Sequence, residues 1–111
     1  MPRPPKLRWC DGPPPRSVFK PAGVPLGTLP AVQLQLDELE ALRLCDLLGL
    51  DQEGAGRRMG VSRGTVQRLL ATGRTKVADA LVHGKAIFIT QADYIRFPSG
   101  RGRHRWGAPR G

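Results

Sequence analysis

The sequence predicts a mainly α protein: a three-helix helix-turn-helix domain with one or two short strands and irregular basic termini. Three observations carry that expectation. Gln52–Ala71 contains Met-Gly-Val-Ser at 59–62 and reads as a short helix, a tight turn and a second helix. A capped acidic stretch with a broad apolar stripe precedes it, and a long stretch of helical periodicity follows it. The 14 Gly and 11 Pro concentrate at the two ends, which confines a packed core to about residues 30–90. The chain then divides into a Pro-rich basic arm (1–30), the helical domain (31–90) and an Arg/Gly-rich tail (91–111) without a core-forming pattern.

The arm carries PRPP, GPPP, KPAGVP and LGTLP, which forbid a long helix because each proline removes an N–H and restricts its predecessor. Leu7, Trp9, Val18, Phe19, Val24 and Leu26 are apolar anchors for docking such a segment on the domain. The arm is either a strap that packs or a minor-groove or phosphate-contacting extension through Arg3, Lys6 and Arg8, and the two roles are compatible.

AVQLQL at 31–36 alternates apolar and polar, the signal of a short strand. Asp37–Leu48 is the clearest helix. Asp37 is the expected N-cap, with Glu40 completing a capping box and Gly49 as the stop. Ala41, Leu42, Leu44, Cys45 and Leu48 form its apolar stripe. Leu39 and Leu47 fall outside that stripe and are expected against the arm, the strand or another subunit.

Asp51 is placed to cap a short helix over Gln52–Met59, and Gly54 and Gly56 weaken its propensity, so packing must hold it. Gly60 suits the left-handed backbone that ends a helix, and Ser62 suits the cap of the next. Ala55 and Gly56 allow two steeply crossing helices to approach closely. Val66, Leu69, Leu70, Val77, Ala80 and Leu81 then recur at helical spacing, with Gly73 an expected bend or close contact and Gly84 an expected C-cap. AIFIT at 86–90 is β-branched and aromatic, a strand expected to pair with residues 32–36 or with its copy in a second chain.

The net charge is +9, from 18 basic and 9 acidic residues. Its distribution is uneven. Arg57, Arg58, Arg63, Arg68, Arg74 and Lys76 face only Glu53 across 52–76, while Asp37, Glu38, Glu40, Asp46 and Asp51 gather before them. Segregated basic charge fits a polyanion. No apolar run approaches the ~20 residues that span a bilayer, so no membrane role and a cytoplasmic location are expected. Cys10, Cys45, His83 and His104 show no close pairing, so neither a metal site nor a disulfide is expected. No Ser/His/Asp or Cys/His grouping and no Gly-rich phosphate loop is present, so no catalytic residues and no cofactor are expected.

With those elements in place the chain resembles a family of small uncharacterised prokaryotic proteins predicted to bind DNA, related to the helix-turn-helix of sigma-factor region four. MPRP at 1–4, FKPAGVP at 19–25, LDELEALRLCDLLGLDQEGAGRRMGVSRGTV at 36–66 and KVADALVHGKAI at 76–87 carry the resemblance. The combination of FKPAG with LDELEALRL is more specific than the turn alone. The resemblance implies DNA binding by a sigma-like fold; from the elements alone the helix-turn-helix domain is expected to be winged or region-four-like. Glycines at 54, 56 and 64 depart from the more usual helix formers, and residues 91–111 lie outside the pattern.

The expected function is sequence-specific binding of double-stranded DNA in transcription regulation, with the recognition helix starting at Ser62. Arg63, Thr65, Gln67 and Arg68 are the expected base contacts, since Arg bonds guanine O6 and N7 and Gln bonds adenine N6 and N7. Arg57, Arg58, Ser62, Arg74 and Lys76 are the expected phosphate contacts. Arg3, Lys6, Arg8, Arg101, Arg103 and Arg105 are the expected contacts from arm and tail. RNA polymerase is a further expected partner, and a homodimer would help so small a domain. The rival reading is a helix-turn-helix used as a protein- or RNA-binding adaptor. Residues 50–83 hold no aromatic, which weighs against RNA stacking.

Overall fold

The computed structural model describes residues 7–12, 17–92 and 95–96. Its elements in order are β1 (Arg8–Trp9), β2 (Val18–Phe19), a 3-10 turn (Leu26–Thr28), β3 (Ala31–Gln35), α1 (Leu36–Leu42), a π-helical turn (Arg43–Leu47), α2 (Gln52–Met59), α3 (Arg63–His83), β4 (Ala86–Thr90) and β5 (Ile95–Arg96).

Helices dominate, yet the strands exceed the one or two expected. β4 is the central strand of a three-stranded sheet. It pairs in parallel with β3, Val32 opposite Ile87 and Leu34 opposite Ile89, and antiparallel with β2, Val18 opposite Phe88. A parallel pair needs a long crossover, and the whole helical unit provides it. The apolar strand AIFIT is thus covered on both edges within one chain, which removes an exposed pairing edge. β1 and β5 form a second, parallel pair, with Arg8 opposite Ile95.

α1 begins one residue earlier than expected and its cap differs. Gln35, not Asp37, is the N-cap residue, and its backbone N–H donates to Glu38 Oε1 at 2.8 Å. Asp37 lies inside the first turn because it is needed elsewhere. Its carboxylate is fully buried and accepts a hydrogen bond from Arg8 at 2.8 Å. The helix widens at Arg43–Leu47 and stops before Gly49, whose φ of 80° is the left-handed backbone a glycine takes without strain.

The main core joins the three helices. Ala41 and Leu44, Ala55 and Met59, and Val66, Leu69 and Leu70 are buried together, with Cys45 packed partly buried against them. A second cluster ties the arm to the domain: Cys10 from the segment after β1, Leu36 from α1 and Ile95 from β5, with Leu39 beside them. Leu39 therefore meets the arm, whereas Leu47 lies exposed.

Two glycines set how closely the helices approach. A Cβ at Gly56 would sit 2.7 Å from the carbonyl oxygen of Val61. A Cβ at Gly73 would sit 3.4 Å from Glu38 Cβ and Leu42 Cδ1. The first contact is with backbone and cannot swing aside. Gly56→Ala is therefore expected to lower stability by about 1–3 kcal/mol as an overpacking change. A lower urea midpoint at unchanged slope would show it, despite the better helix propensity of Ala.

Candidate functional site

The site is built around the junction of α2 and α3. Asp51 caps α2, accepting from the Gly54 N–H at 2.7 Å. Gly60 closes it in the left-handed region at φ 71°, with its N–H on the Gly56 carbonyl. Ser62 then opens α3, its hydroxyl accepting from the Thr65 N–H at 3.1 Å. Three local signals thus fold a helix, a tight turn and a long helix from consecutive residues. α3 buries Val66, Leu69, Leu70, Gly73 and Ala80 inward. Its first two turns present Arg63, Gly64, Gln67 and Arg68 to solvent.

The basic residues fall into two groups. Arg57, Arg63 and Arg68 are exposed and make no side-chain bond or ion pair among the described residues. They are free to meet an anion. The others are engaged within the chain. Arg58 donates to Asp11 at 2.6 Å, and Arg43 pairs with that same carboxylate oxygen. Arg74 grips Asp46 through two bonds of 3.0 and 2.7 Å. Lys76 donates to Glu38 Oε1 at 2.8 Å.

The pairs alter what these bases can do. Glu38 is brought under α3 where Gly73 lets the two helices touch, and it accepts from Thr72 as well as Lys76. Lys76, expected to hold a phosphate, is thereby drawn inward. The Arg74 guanidinium, bonded to Asp46, holds that carboxyl below the usual carboxylate range. Its own charge is largely compensated there. Thr65, expected at the bases, is half-buried with its hydroxyl 3.1 Å from Ser62 Oγ, so it serves the cap.

Arg8 is the clearest correction to the sequence reading. It was expected to reach nucleic acid from the arm. It is instead 8 % exposed and paired with Asp37, because a fully buried carboxylate needs a partner. Arg3, Lys6, Arg101, Arg103 and Arg105 lie outside the described residues.

Among the described residues no three His, Cys, Asp or Glu side chains come together as a ligand set. Burial pushes the Cys10 thiol far up, and neighbouring Glu40, Asp37 and Asp11 raise it further, so it is a buried neutral group. Burial also raises Cys45. At the far end of α3, Asp79 is held below the usual range by hydrogen bonds from Lys85 and His83, which fits His83 as a helix-end residue.

The links of Asp11 had no signal in the sequence, and Trp9, expected only as an apolar anchor of the arm, has a specific place at the turn. Asp11 links the arm to both Arg43 and Arg58, and its backbone N–H donates to Glu40 Oε2 at 3.1 Å. Trp9 lies against Gly60, where a Cβ would meet its Cδ1 at 3.3 Å. The arm therefore borders the turn between α2 and α3.

The fold and site define a small protein of three helices and two sheets, in which no helix of the described residues is long and apolar enough to cross a membrane. The chain belongs to the family described as "Protein of unknown function DUF134", whose model matches residues 1–97. It is similar to a UPF0251 protein of Thermoanaerobacter pseudethanolicus, 49% identical over 105 residues that cover 95% of this chain and 89% of that one. A UPF0251 protein of Caldanaerobacter subterraneus subsp. tengcongensis is 48% identical over 113 residues, covering 96% of each. One from Dehalococcoides mccartyi is 54% identical over 89 residues, covering 80% of this chain and 76% of that one. No solved structure matches the chain.

Proposed function

We propose that the protein binds double-stranded DNA sequence-specifically and acts in transcription regulation. In this reading α2, the turn at Gly60 and α3 form a helix-turn-helix of the kind found in sigma-factor region four, with α3 in the major groove. The observation that carries it is the outward face of the first two turns of α3. Arg63, Gln67 and Arg68 stand exposed there, immediately after a left-handed turn and a serine cap. Such a helix start aims base-reading side chains and free backbone N–H groups in one direction.

The roles divide by chemistry. Arg63, Gln67 and Arg68 read base edges, each well-formed bidentate pair supplying about 1–3 kcal/mol of discrimination. Arg57, at the end of α2, and Ser62 hold phosphates and fix the register. Arg58 joins them to the extent that a phosphate displaces Asp11. Gly64 lets the backbone come close. Arg74 and Lys76, already paired with carboxylates, play a smaller part than their charge suggests. RNA polymerase and a second copy of the chain remain partners of this reading, and no catalytic step belongs to it.

Equilibrium binding of labelled duplexes tests the division. Arg68→Ala is expected to weaken a preferred site by about 1–3 kcal/mol and leave random duplexes nearly unchanged. Arg57→Ala is expected to weaken all duplexes alike and to reduce the slope of log affinity against log salt by about one. Parent-like binding by both variants would remove the proposal.

A further inference from the structure

Trp9 is the largest side chain of the docked segment 7–12, and the core does not take it fully. β1 alternates as a strand must: Arg8 points in to Asp37, Trp9 points out, and the following Cys10 points in again. The flanks are firmly held. Cys10 donates its N–H to the Arg96 carbonyl at 2.9 Å, and Asp11 is gripped by Arg43 and Arg58. Trp9 is therefore fixed in place while 44% exposed.

What it touches is the turn. The pyrrole edge of the indole lies over Gly60, with Cδ1 and Nε1 nearest at 3.3 and 3.8 Å from where a Cβ would be. Gly60 also lines an open groove of about 520 Å³ with Arg57, Ser62 and Arg63 and with Glu53. The indole N–H has no acceptor among the described residues. An outward tryptophan contributes little to folding for its size. Against Gly60, which shares that groove with the exposed Arg57 and Arg63, it offers a flat apolar face and one directed donor.

We infer that Trp9 is part of the DNA-contacting surface. Its indole N–H donates to a phosphate oxygen of the strand that Arg57 and Ser62 hold, and its ring packs on the adjoining sugar. Asp11 acts as the positioning residue, setting the distance between Trp9 and α2 through Arg58. The inference rests on the DNA reading above, and it adds the arm as a built part of the interface rather than a charged extension.

The test uses the full chain carrying Trp106→Phe, so that Trp9 is the sole source of tryptophan emission. A dye-labelled duplex reports binding independently through its anisotropy. Saturation with the preferred duplex is expected to quench or shift the Trp9 emission. Trp9→Phe, which keeps a ring over Gly60 and removes the donor, is expected to weaken binding about 10- to 100-fold, the loss of a hydrogen bond to a charged acceptor. Its thermal midpoint by circular dichroism should match the parent. Binding seen by anisotropy with unchanged Trp9 emission, or Trp9→Phe binding as tightly as the parent, overturns the inference and leaves the DNA reading standing. Absence of any duplex binding by the parent chain removes the DNA reading itself and the inference with it.

Discussion

Arg8→Ala is expected to destabilise the fold by about 3–5 kcal/mol, because it strands a buried carboxylate. Asp37 is fully buried and Arg8 bonds it at 2.8 Å from a strand 29 positions earlier in the chain. Removing the guanidinium leaves Asp37 without its ionic partner inside the cluster that joins Cys10, Leu36 and Ile95. A loss of that size is a large fraction of the 5–15 kcal/mol typical of a small domain. The double variant Arg8→Met with Asp37→Leu separates the two halves of the effect. It removes both charges and keeps the volume, so most of the stability should return. Urea unfolding of the parent, the single and the double variant measures this directly. A single variant as stable as the parent would mean that the arm is not docked through this pair.

Met59→Ala is the second large effect, at about 2–5 kcal/mol. Met59 ends α2 with no exposed surface, packed in the same cluster as Leu44 of the π-helical turn and Val66, Leu69 and Leu70 of α3. Truncating it leaves a void where three helices meet, and neither Gly54 nor Gly56 gives α2 helix propensity to fall back on. The matching control is Leu81→Ala. Leu81 is 75% exposed on α3, and its loss should stay within about 0.5 kcal/mol. Equal effects at the two positions, read as urea midpoints, would contradict the packing described.

The junction that follows Met59 marks what the sequence made legible. The backbone bond of Gly60 and the cap at Ser62 join residues four positions apart at most. A helix end, a left-handed turn and a cap are therefore written in consecutive letters, and the structure repeats them. The caps at Asp51 and Gly84 were legible for the same reason. The stretch AIFIT declared itself a strand by composition.

Partners distant in sequence were not legible. Asp37 has every local qualification for an N-cap, and only the arrival of Arg8 explains why Gln35 takes that place. The bases of α3 looked alike along the chain. Contact with α1 and the π-helical turn separates them, since Glu38 pairs with Lys76 and Asp46 with Arg74, while among the described residues no acid pairs with Arg63 or Arg68. Trp9 was legible as an apolar anchor but not as a neighbour of Gly60, because β1 also pairs with β5 from the other end of the chain. The candidate site was thus readable in its backbone and its outward residues. Its electrostatics were not, because they are set by pairs between segments.

The measurement that bears most directly on α3 as a reader of DNA sequence is selection of bound duplexes from a random pool, run with the parent chain and with Arg68→Ala in parallel. The parent is expected to enrich one motif, and Arg68→Ala to enrich the same motif with its preference relaxed at a single base pair. Pools from the parent that stay random, or pools from the two proteins that are indistinguishable, would contradict it.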